Sequence, residues 1–548
     1  MQTQNKINFK TILISISILI LVVPDILINS NQNILNFCLS LISKICELAF
    51  IGLVLLKLTR SYFMAYLILG IPYLISSIVE IGNIIILDHY VTVDNIGALS
   101  NVSHSEINEF YLGFRIYLFI PIIVVGTYIF MLKKYKSILY NSKNKRIIVP
   151  LAILFFSISI TISFYKVLHS PIVYSDNKIT NYTLKTSYLW QHPFNLYYRI
   201  YQFTKIRLRI NKYKSQQDNF KFEILNSADT TKPNLVIFII GERMRYSNWS
   251  INGYNRATTP NLKKVTNLIS FNKNYSNANN TYWSIPLIIT QATPKTPNDA
   301  YSQKSIVSLF KEAGYETSWI SSQYLFDIID EKKEPDNLYE LYKKKHTDLD
   351  IIPLYDSVLN KKTSKNKFII INMLGGHGEV PAQFNVFKPN NNLKNYPITM
   401  QNAHIFINDY DNIVLLQDYV LSEIMKITEK QNVSSVLLFT ADHGCNLFDN
   451  GRALFGYGSA NPTEKETHVP MLVNMSKKYI ENNHNKYNNL INHKNLLTTN
   501  NNIFYTLSDL ANIKYKSFKP TQSISDSLFV EPSSRFVYIN DEVREYKK

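Results

Sequence analysis

At 548 residues the chain exceeds what one ordinary domain needs, and its apolar content is concentrated in the first third. The 58 Lys and Arg against 41 Asp and Glu leave a formal charge of +17. Much of that surplus falls between apolar stretches and in Asn-rich segments, with no RNA- or DNA-binding module motif beside it, so no nucleic-acid partner is expected. Only three cysteines are present, and two of them, Cys38 and Cys46, fall in one apolar stretch. Cys445 is then alone in the rest of the chain, which excludes a disulfide framework there.

In chain order, five stretches read as membrane spans: about 11 to 29, 34 to 56, 62 to 87, 115 to 132 and 147 to 165. Crossing takes roughly 20 apolar residues. No small-residue cleavage site follows Pro24-Asp25, so the first stretch is expected to stay rather than be removed as a signal peptide. Lys6 and Lys10, Lys57 and Arg60, and the cluster from Lys133 to Arg146 place three connecting segments in the cytoplasm. An odd number of spans then puts everything after about residue 166 outside. Asp25, Lys44, Glu47 and Glu80 are too few, with no repeat symmetry between spans, to make a transporter.

Residues 167–232 read as a connector mixing Tyr and basic residues with apolar ones, suited to amphipathic helices on a membrane surface. From 233 to 548 short apolar runs alternate with helical stretches. The runs are 235 to 240, 317 to 321, 367 to 373, 435 to 440 and 470 to 474. Between the third and fourth, Ile413, Leu416, Val420, Ile424 and Ile427 line one helix face. This alternation predicts an α/β sandwich domain with a largely parallel sheet. Residues 481 to 502 are Asn-rich and read as loop.

Two of the runs end in chemistry. Gly241-Glu242 follows Leu235 to Ile240, and Asp442-His443-Gly444 follows Val436 to Phe439 with only Thr440-Ala441 between. Polar groups at the carboxyl ends of buried strands are where α/β sheets place sites. Asn280-Thr281 and Gly376-His377 add a hydroxyl and an imidazole. A Thr hydroxyl is a poor nucleophile unless a base or metal activates it. Glu242, Asp442 and His443 with Thr281 would make four ligands, and carboxylate plus imidazole suits Zn²⁺ better than Mg²⁺ or Mn²⁺. Each feature has a plainer reading: Glu242 as a helix cap, Asp442-His443-Gly444 as a turn, His377 as a loop residue, His468 as a strand-end group. Those readings account badly for all of them together.

At these residues the sequence resembles the membrane-anchored phosphoethanolamine transferases of Gram-negative bacteria, within the alkaline phosphatase and sulfatase superfamily. The resemblance covers nearly the whole chain. Gly241-Glu242-Arg243-Met244-Arg245 with Asn252 to Pro260 resembles the opening signature, and Thr281-Tyr282-Trp283-Ser284-Ile285-Pro286 the nucleophile segment. Ala313-Gly314-Tyr315 to Gln323, Tyr410-Asp411-Asn412 to Asp418, Asp442-His443-Gly444 and His468-Val469-Pro470 follow in the family's order. The resemblance implies an N-terminal five-helix transmembrane anchor (1–166) in the bacterial inner membrane and a periplasmic, sulfatase-like catalytic domain (233–548). It implies Zn²⁺ on Glu242, Thr281, Asp442 and His443, with Thr281 attacking phosphatidylethanolamine and an acceptor on lipopolysaccharide taking the phosphoethanolamine. It further implies that His377 and His468 hold substrate or a second metal, and that Asn101, Ser105 and Glu109 contact lipid; a monomer is expected, with no sequence feature that fixes the oligomeric state.

Departures from the family pattern mark this chain. Cys445 stands where Glu is common, Leu454 to Gly458 lacks a second His, and Asn372 replaces another His. Ser284-Ile285-Pro286 fits a sulfatase nucleophile motif until Ile288 takes the place of its Arg, which argues against sulfate ester hydrolysis. Two rival functions remain at this stage: phosphoglycerol transfer to a periplasmic glucan or other glycan, and a non-catalytic lipid-binding membrane protein.

Overall fold

The computed structural model describes residues 16–29, 34–87, 89–99, 119–136, 138, 145–169, 191–225, 232–323, 334–377, 380–387, 396, 398–451, 454–459 and 461–547. The chain divides into two compact units, residues 1–96 with 114–204, and residues 97–113 with 205–548. Asn101, Ser105 and Glu109 lie outside the described residues.

The first unit is helical: α1 Val23–Asn29, α2 Ile34–Thr59, α3 Tyr62–Leu87, α4 Val93–Leu99, α5 Phe119–Lys136 and α6 Lys145–His169. Two of these are long and apolar enough to cross a membrane, Ile34–Thr59 with mean hydropathy 2.1 and Tyr62–Ile85 with 1.8. In α6 the apolar run is the shorter Ile147–Ile162, and α5 closes on Lys133, Lys134 and Lys136. Among the described residues, two of the five expected spans are therefore clear. Asp25, Lys44, Glu47 and Glu80 are engaged with the unit's own groups. Lys44 pairs with Glu47 at 3.0 Å, Tyr73 donates to Glu47 Oε1 at 3.0 Å, Tyr90 donates to Asp25 at 2.9 Å, and Glu80 accepts from Val91 N at 2.7 Å. Internal pairing of this kind is how ionisable groups are tolerated among apolar helices. The predicted connector contains α7, Phe194–Gln217, which exposes Ile200, Tyr201 and Leu208 among its basic residues.

The second unit is built on a seven-stranded sheet: β1 Leu235–Gly241, β2 Leu268–Phe271, β3 Glu316–Ser321, β4 Asn337–Glu340, β5 Lys367–Asn372, β6 Ser435–Ala441 and β7 Met471–Met475. Their order is β2-β7-β6-β1-β5-β3-β4. Strands β6, β1, β5, β3 and β4 run parallel, and β7 pairs antiparallel with both β6 and β2. All seven residues of β1 and of β6 are buried, as expected of central strands covered on both faces, which read as unbroken apolar runs. The two strands absent from the sequence reading, β2 and β4, are four-residue edge strands and only partly buried, so they carry no such run. The predicted amphipathic helix is real and longer, Ala403–Lys430, with Leu416, Val420 and Ile424 in the core beside Ile237, Ile239 and Phe439.

The second part of the opening signature, Asn252 to Pro260, proves to be architecture. Asp411, on the Ala403–Lys430 helix, accepts from Asn248, Tyr254 and Arg256 at 2.7, 2.9 and 2.7 Å. Asp418, two turns on, accepts from the backbone of Asn261 and Leu262 at 3.0 and 2.8 Å. Thr258 and Thr259 close the intervening loop on Asn248 and Ser250. These buried carboxylates satisfy backbone and side-chain donors that would otherwise be stranded, and they pin the chain that leaves β1 immediately after Glu242.

Candidate active site

Register brings the acids together. Gly241 pairs with Ala441 in the parallel β1–β6 ladder, so the next residues, Glu242 and Asp442, leave the sheet side by side, with Asp442 N donating to Gly241 O at 2.9 Å. His443 follows directly. One ligand atom from each of Glu242, Asp442 and His443 lies within 4.8 Å of the others, and all three residues are buried. Thr281 arrives from a helix, Thr281–Ile289, whose N-cap Asn280 accepts from Trp283 N at 3.2 Å. That cap fixes the first turn and sets the Thr281 hydroxyl 3.0 Å from Glu242 Oε2 and 3.2 Å from His443 Nε2. The site so assembled stands at the carboxyl end of the sheet, with a hydroxyl at a helix N-terminus where negative charge is favoured.

The surrounding bonds leave particular atoms facing inward. Asp442 Oδ1 accepts from His443 N at 2.6 Å and Arg243 N at 3.1 Å, while Oδ2 has no hydrogen bond. Glu242 Oε2 accepts from Thr281 and from Gln323 Nε2 at 3.1 Å, whereas Oε1 lies 3.3 Å from both His443 Nε2 and His377 Nε2 without a hydrogen bond of good geometry. His443 Nδ1 sits 2.8 Å from Gly444 O, so in the neutral ring it carries the proton and Nε2 is the ligand atom. Two orphaned, buried carboxylate oxygens are costly alone, and together with the His443 Nε2 beside them they are what a divalent cation would satisfy. The donor set therefore fits a metal.

Charge effects agree with that reading. Burial, then the neighbouring Glu242 carboxylate, pushes the Asp442 carboxyl up to about 8. Burial works against a charge on His443, but the Asp442 and Glu242 carboxylates outweigh it and raise the imidazole to about 9. Burial likewise opposes the Glu242 charge, yet the His443 and His377 imidazoles hold its carboxyl well below the usual range. Protons thus take the place of a cation.

His377 belongs to this group through its contact with Glu242. His468 is set elsewhere: its ring lies between Tyr246 and Tyr275, at 4.1 and 4.6 Å, and Nε2 is 2.9 Å from Asn272 O. None of its contacts among the described residues is with Glu242, Thr281, Asp442 or His443. Burial lowers its imidazole to about 4. Cys445 is also buried, and its backbone oxygen accepts from Arg245 Nη1 at 3.4 Å. Asn372 is buried at the end of β5 beside Ile240, its Oδ1 without a hydrogen bond.

Three contributors escaped the sequence reading as site residues. Gln323 orients Glu242. Asp348 accepts from Leu374 N and Gly375 N at 2.8 and 2.9 Å and so holds the loop that carries His377. Tyr457 contacts both His377 and His443. Gln323 had a signal, as the end of a recognised segment; an Asp far from its partner in sequence had none.

Gly375 is required by space as well as by conformation. It has φ +51, and a Cβ there would stand 2.4 Å from Glu242 O and 2.9 Å from Glu242 Cβ. Gly375→Ala is expected to displace Glu242, adding to a backbone strain of about 1 kcal/mol. Metal titration of the variant should show affinity reduced at least tenfold, with the helical first unit's circular dichroism unchanged.

A family model described as Sulfatase matches residues 234–513. The chain belongs to the sulfatase family, in the alkaline phosphatase and sulfatase superfamily. Its relatives include phosphoethanolamine transferase EptC of Escherichia coli (strain K12), 28% identical over 331 residues, which are 57% of this chain and 56% of the relative. Phosphoethanolamine transferase CptA of Salmonella typhimurium (strain LT2) is 25% identical over 351 residues, 60% of each chain. The chain thus matches little more than half the length of these curated relatives. The C-terminal periplasmic domain of EptC from Escherichia coli, in complex with Zn, superposes with TM-score 0.53 at 25% identity, covering 59% of this chain and 96% of that one. The integral membrane lipooligosaccharide phosphoethanolamine transferase A of Neisseria meningitidis shares the fold over 94% of this chain and 98% of its own, with TM-score 0.71 at 16% identity. The resemblance to the phosphoethanolamine transferases is borne out.

Proposed function

We propose that this protein is a phosphoethanolamine transferase of the bacterial inner membrane. It takes phosphoethanolamine from phosphatidylethanolamine and delivers it to lipopolysaccharide, on lipid A or a core sugar, through an intermediate on Thr281. The observation that carries this reading is the Thr281 hydroxyl, held by Glu242 Oε2 and His443 Nε2 at 3.0 and 3.2 Å beside carboxylate oxygens without partners. The names borne by its relatives support the transferred group. A multi-pass, five-span anchor and a monomeric protein with its catalytic domain in the periplasm complete the proposal.

Glu242, Thr281, Asp442 and His443 would hold Zn²⁺, which when bound stabilises a threonine alkoxide and draws charge from a phosphoryl oxygen. Thr281 Oγ1 forms the new bond to phosphorus. The bond from phosphorus to the diacylglycerol oxygen breaks, and the proton lost by Thr281 has Glu242 Oε2 as its nearest acceptor before it passes to the leaving oxygen. An acceptor hydroxyl or phosphate then attacks the same phosphorus and releases Thr281, a double displacement.

The test is intact-mass and peptide mass spectrometry of the detergent-purified protein after incubation with phosphatidylethanolamine or phosphatidylglycerol. A phosphoethanolamine adduct on Thr281 with the first lipid is expected. A phosphoglycerol adduct formed only with the second would replace this donor, and no adduct with either would remove the transferase reading.

Proton linkage supplies a separate check. Zn²⁺ must displace the protons that Asp442 holds up to about 8 and His443 up to about 9. Zinc affinity should accordingly rise with pH between 6 and 8, by about tenfold per unit for each proton released. Calorimetry in two buffers of different ionisation enthalpy should count one to two protons; a count of zero would contradict this ligand set.

A further inference from the structure

Phe455 lies in the segment from Leu454 to Gly458, which lacks the second His of the family pattern. Its ring packs on Phe406 and Phe448 at 5.2 and 5.4 Å and lies under the Arg243 guanidinium at 5.1 Å. Two residues on, Tyr457 reaches the site. Its ring is 4.2 Å from that of His443, and its hydroxyl is 3.2 Å from His377 Nε2, the nitrogen that lies 3.3 Å from Glu242 Oε1. The same loop is tied to the nucleophile's own segment, since Gly458 N donates to Asn279 O at 3.1 Å. Arg243 also stacks on the Tyr457 ring at 5.6 Å, and its Nε has no hydrogen bond.

A phenol O–H and an imidazole thus converge beside the carboxylates and the nucleophile, with the Arg243 guanidinium over the phenol ring. The carboxylates attract a cation. The phenol and imidazole supply what the transferred group needs, hydrogen-bond donors for non-bridging oxygens whose charge must be met while phosphorus changes partners. We propose that Tyr457 is a catalytic residue whose hydroxyl donates to a non-bridging phosphoryl oxygen, making with His377 the contact that the absent histidine would make. This rests on the reading of the site as a phosphoryl-transfer centre, and on no particular headgroup. A bond from a neutral donor to a charged oxygen is short and stronger than one between neutral groups, and Tyr457→Phe removes it while leaving the ring against His443.

The probe is inorganic phosphate, titrated by calorimetry into the full-length, zinc-loaded protein in detergent, with zinc content measured on the same samples. Tyr457→Phe is expected to keep its zinc and to bind phosphate ten- to a hundredfold more weakly. Unchanged phosphate affinity would overturn the proposal, and loss of zinc in step with phosphate would replace it by a positioning role for the ring of His443. Tyr457→His, which returns an N–H donor on a ring, should bind phosphate within tenfold of wild type. This second variant decides the matter if the first does not fold, and complete loss of phosphate binding in it, with zinc retained, also overturns the proposal. Because phosphate carries no headgroup, these outcomes stand even if the donor proves not to be phosphatidylethanolamine, a failure that the lipid adduct experiment would show separately.

Discussion

Thr281→Ala should abolish the covalent intermediate and reduce transfer at least ~10⁴-fold, the scale on which removal of a nucleophile acts when the rest of a site is intact. The loss is expected to leave the fold intact. Thr281 opens a helix whose cap, Asn280, remains, and Ala is a better helix former than Thr. The hydroxyl is half-buried and its partner Glu242 Oε2 keeps the bond from Gln323 at 3.1 Å, so the change in stability should stay below about 1 kcal/mol. Thr281→Ser keeps the oxygen and should keep the adduct, with a reduced rate because the β-methyl no longer restricts the rotamer. Intact mass after incubation with donor lipid reads all three proteins at once. An adduct of the same mass in the Ala variant would move the nucleophile to another residue.

Much of this site was legible before any coordinate. Leu235 to Ile240 and Val436 to Phe439 read as buried strands because both faces of β1 and β6 are covered, and the ligands simply follow them. The pairing of Gly241 with Ala441 was not legible, because register depends on contacts between segments 200 residues apart; the motif pattern stood in for it. His468 illustrates the converse. Its place in a recognised segment implied a role at the substrate, whereas the structure holds its ring between Tyr246 and Tyr275. The stretch from Asn252 to Pro260 carried the most specific resemblance and turned out to fasten the chain to Asp411, since long-range hydrogen bonds constrain sequence as tightly as catalysis does. In the helical unit, two of the five expected spans are clear among the described residues, while α5 is described from Phe119 to its closing lysines and the apolar run of α6 is Ile147–Ile162.

Asp442→Asn should abolish metal binding and lower transfer more than a thousandfold, yet leave the metal-free protein more stable than metal-free wild type. The amide keeps an acceptor where Oδ1 receives His443 N and Arg243 N at 2.6 and 3.1 Å, so the turn after β6 should persist. What is lost is the charge at Oδ2, buried without a hydrogen bond next to Glu242. In wild type, burial and that neighbour raise the carboxyl from 3.8 to about 8. A folded value above the unfolded one means that the wild-type carboxyl costs stability as pH rises past 4, with the full cost reached above 8. The advantage of the Asn variant should therefore be absent near pH 4 and grow to about 2 kcal/mol by pH 8, once the accompanying loss of Asp442's attraction for His443 is allowed for. Thermal melts of chelator-treated proteins at both pH values measure the difference, a few degrees at pH 8 by the usual scaling. Adding Zn²⁺ should reverse the order, because a ligand that binds only the folded wild type stabilises it in proportion to its affinity. A metal-free Asn variant less stable than wild type at pH 8 would mean that Asp442 is held by partners other than a cation, and would remove it from the ligand set.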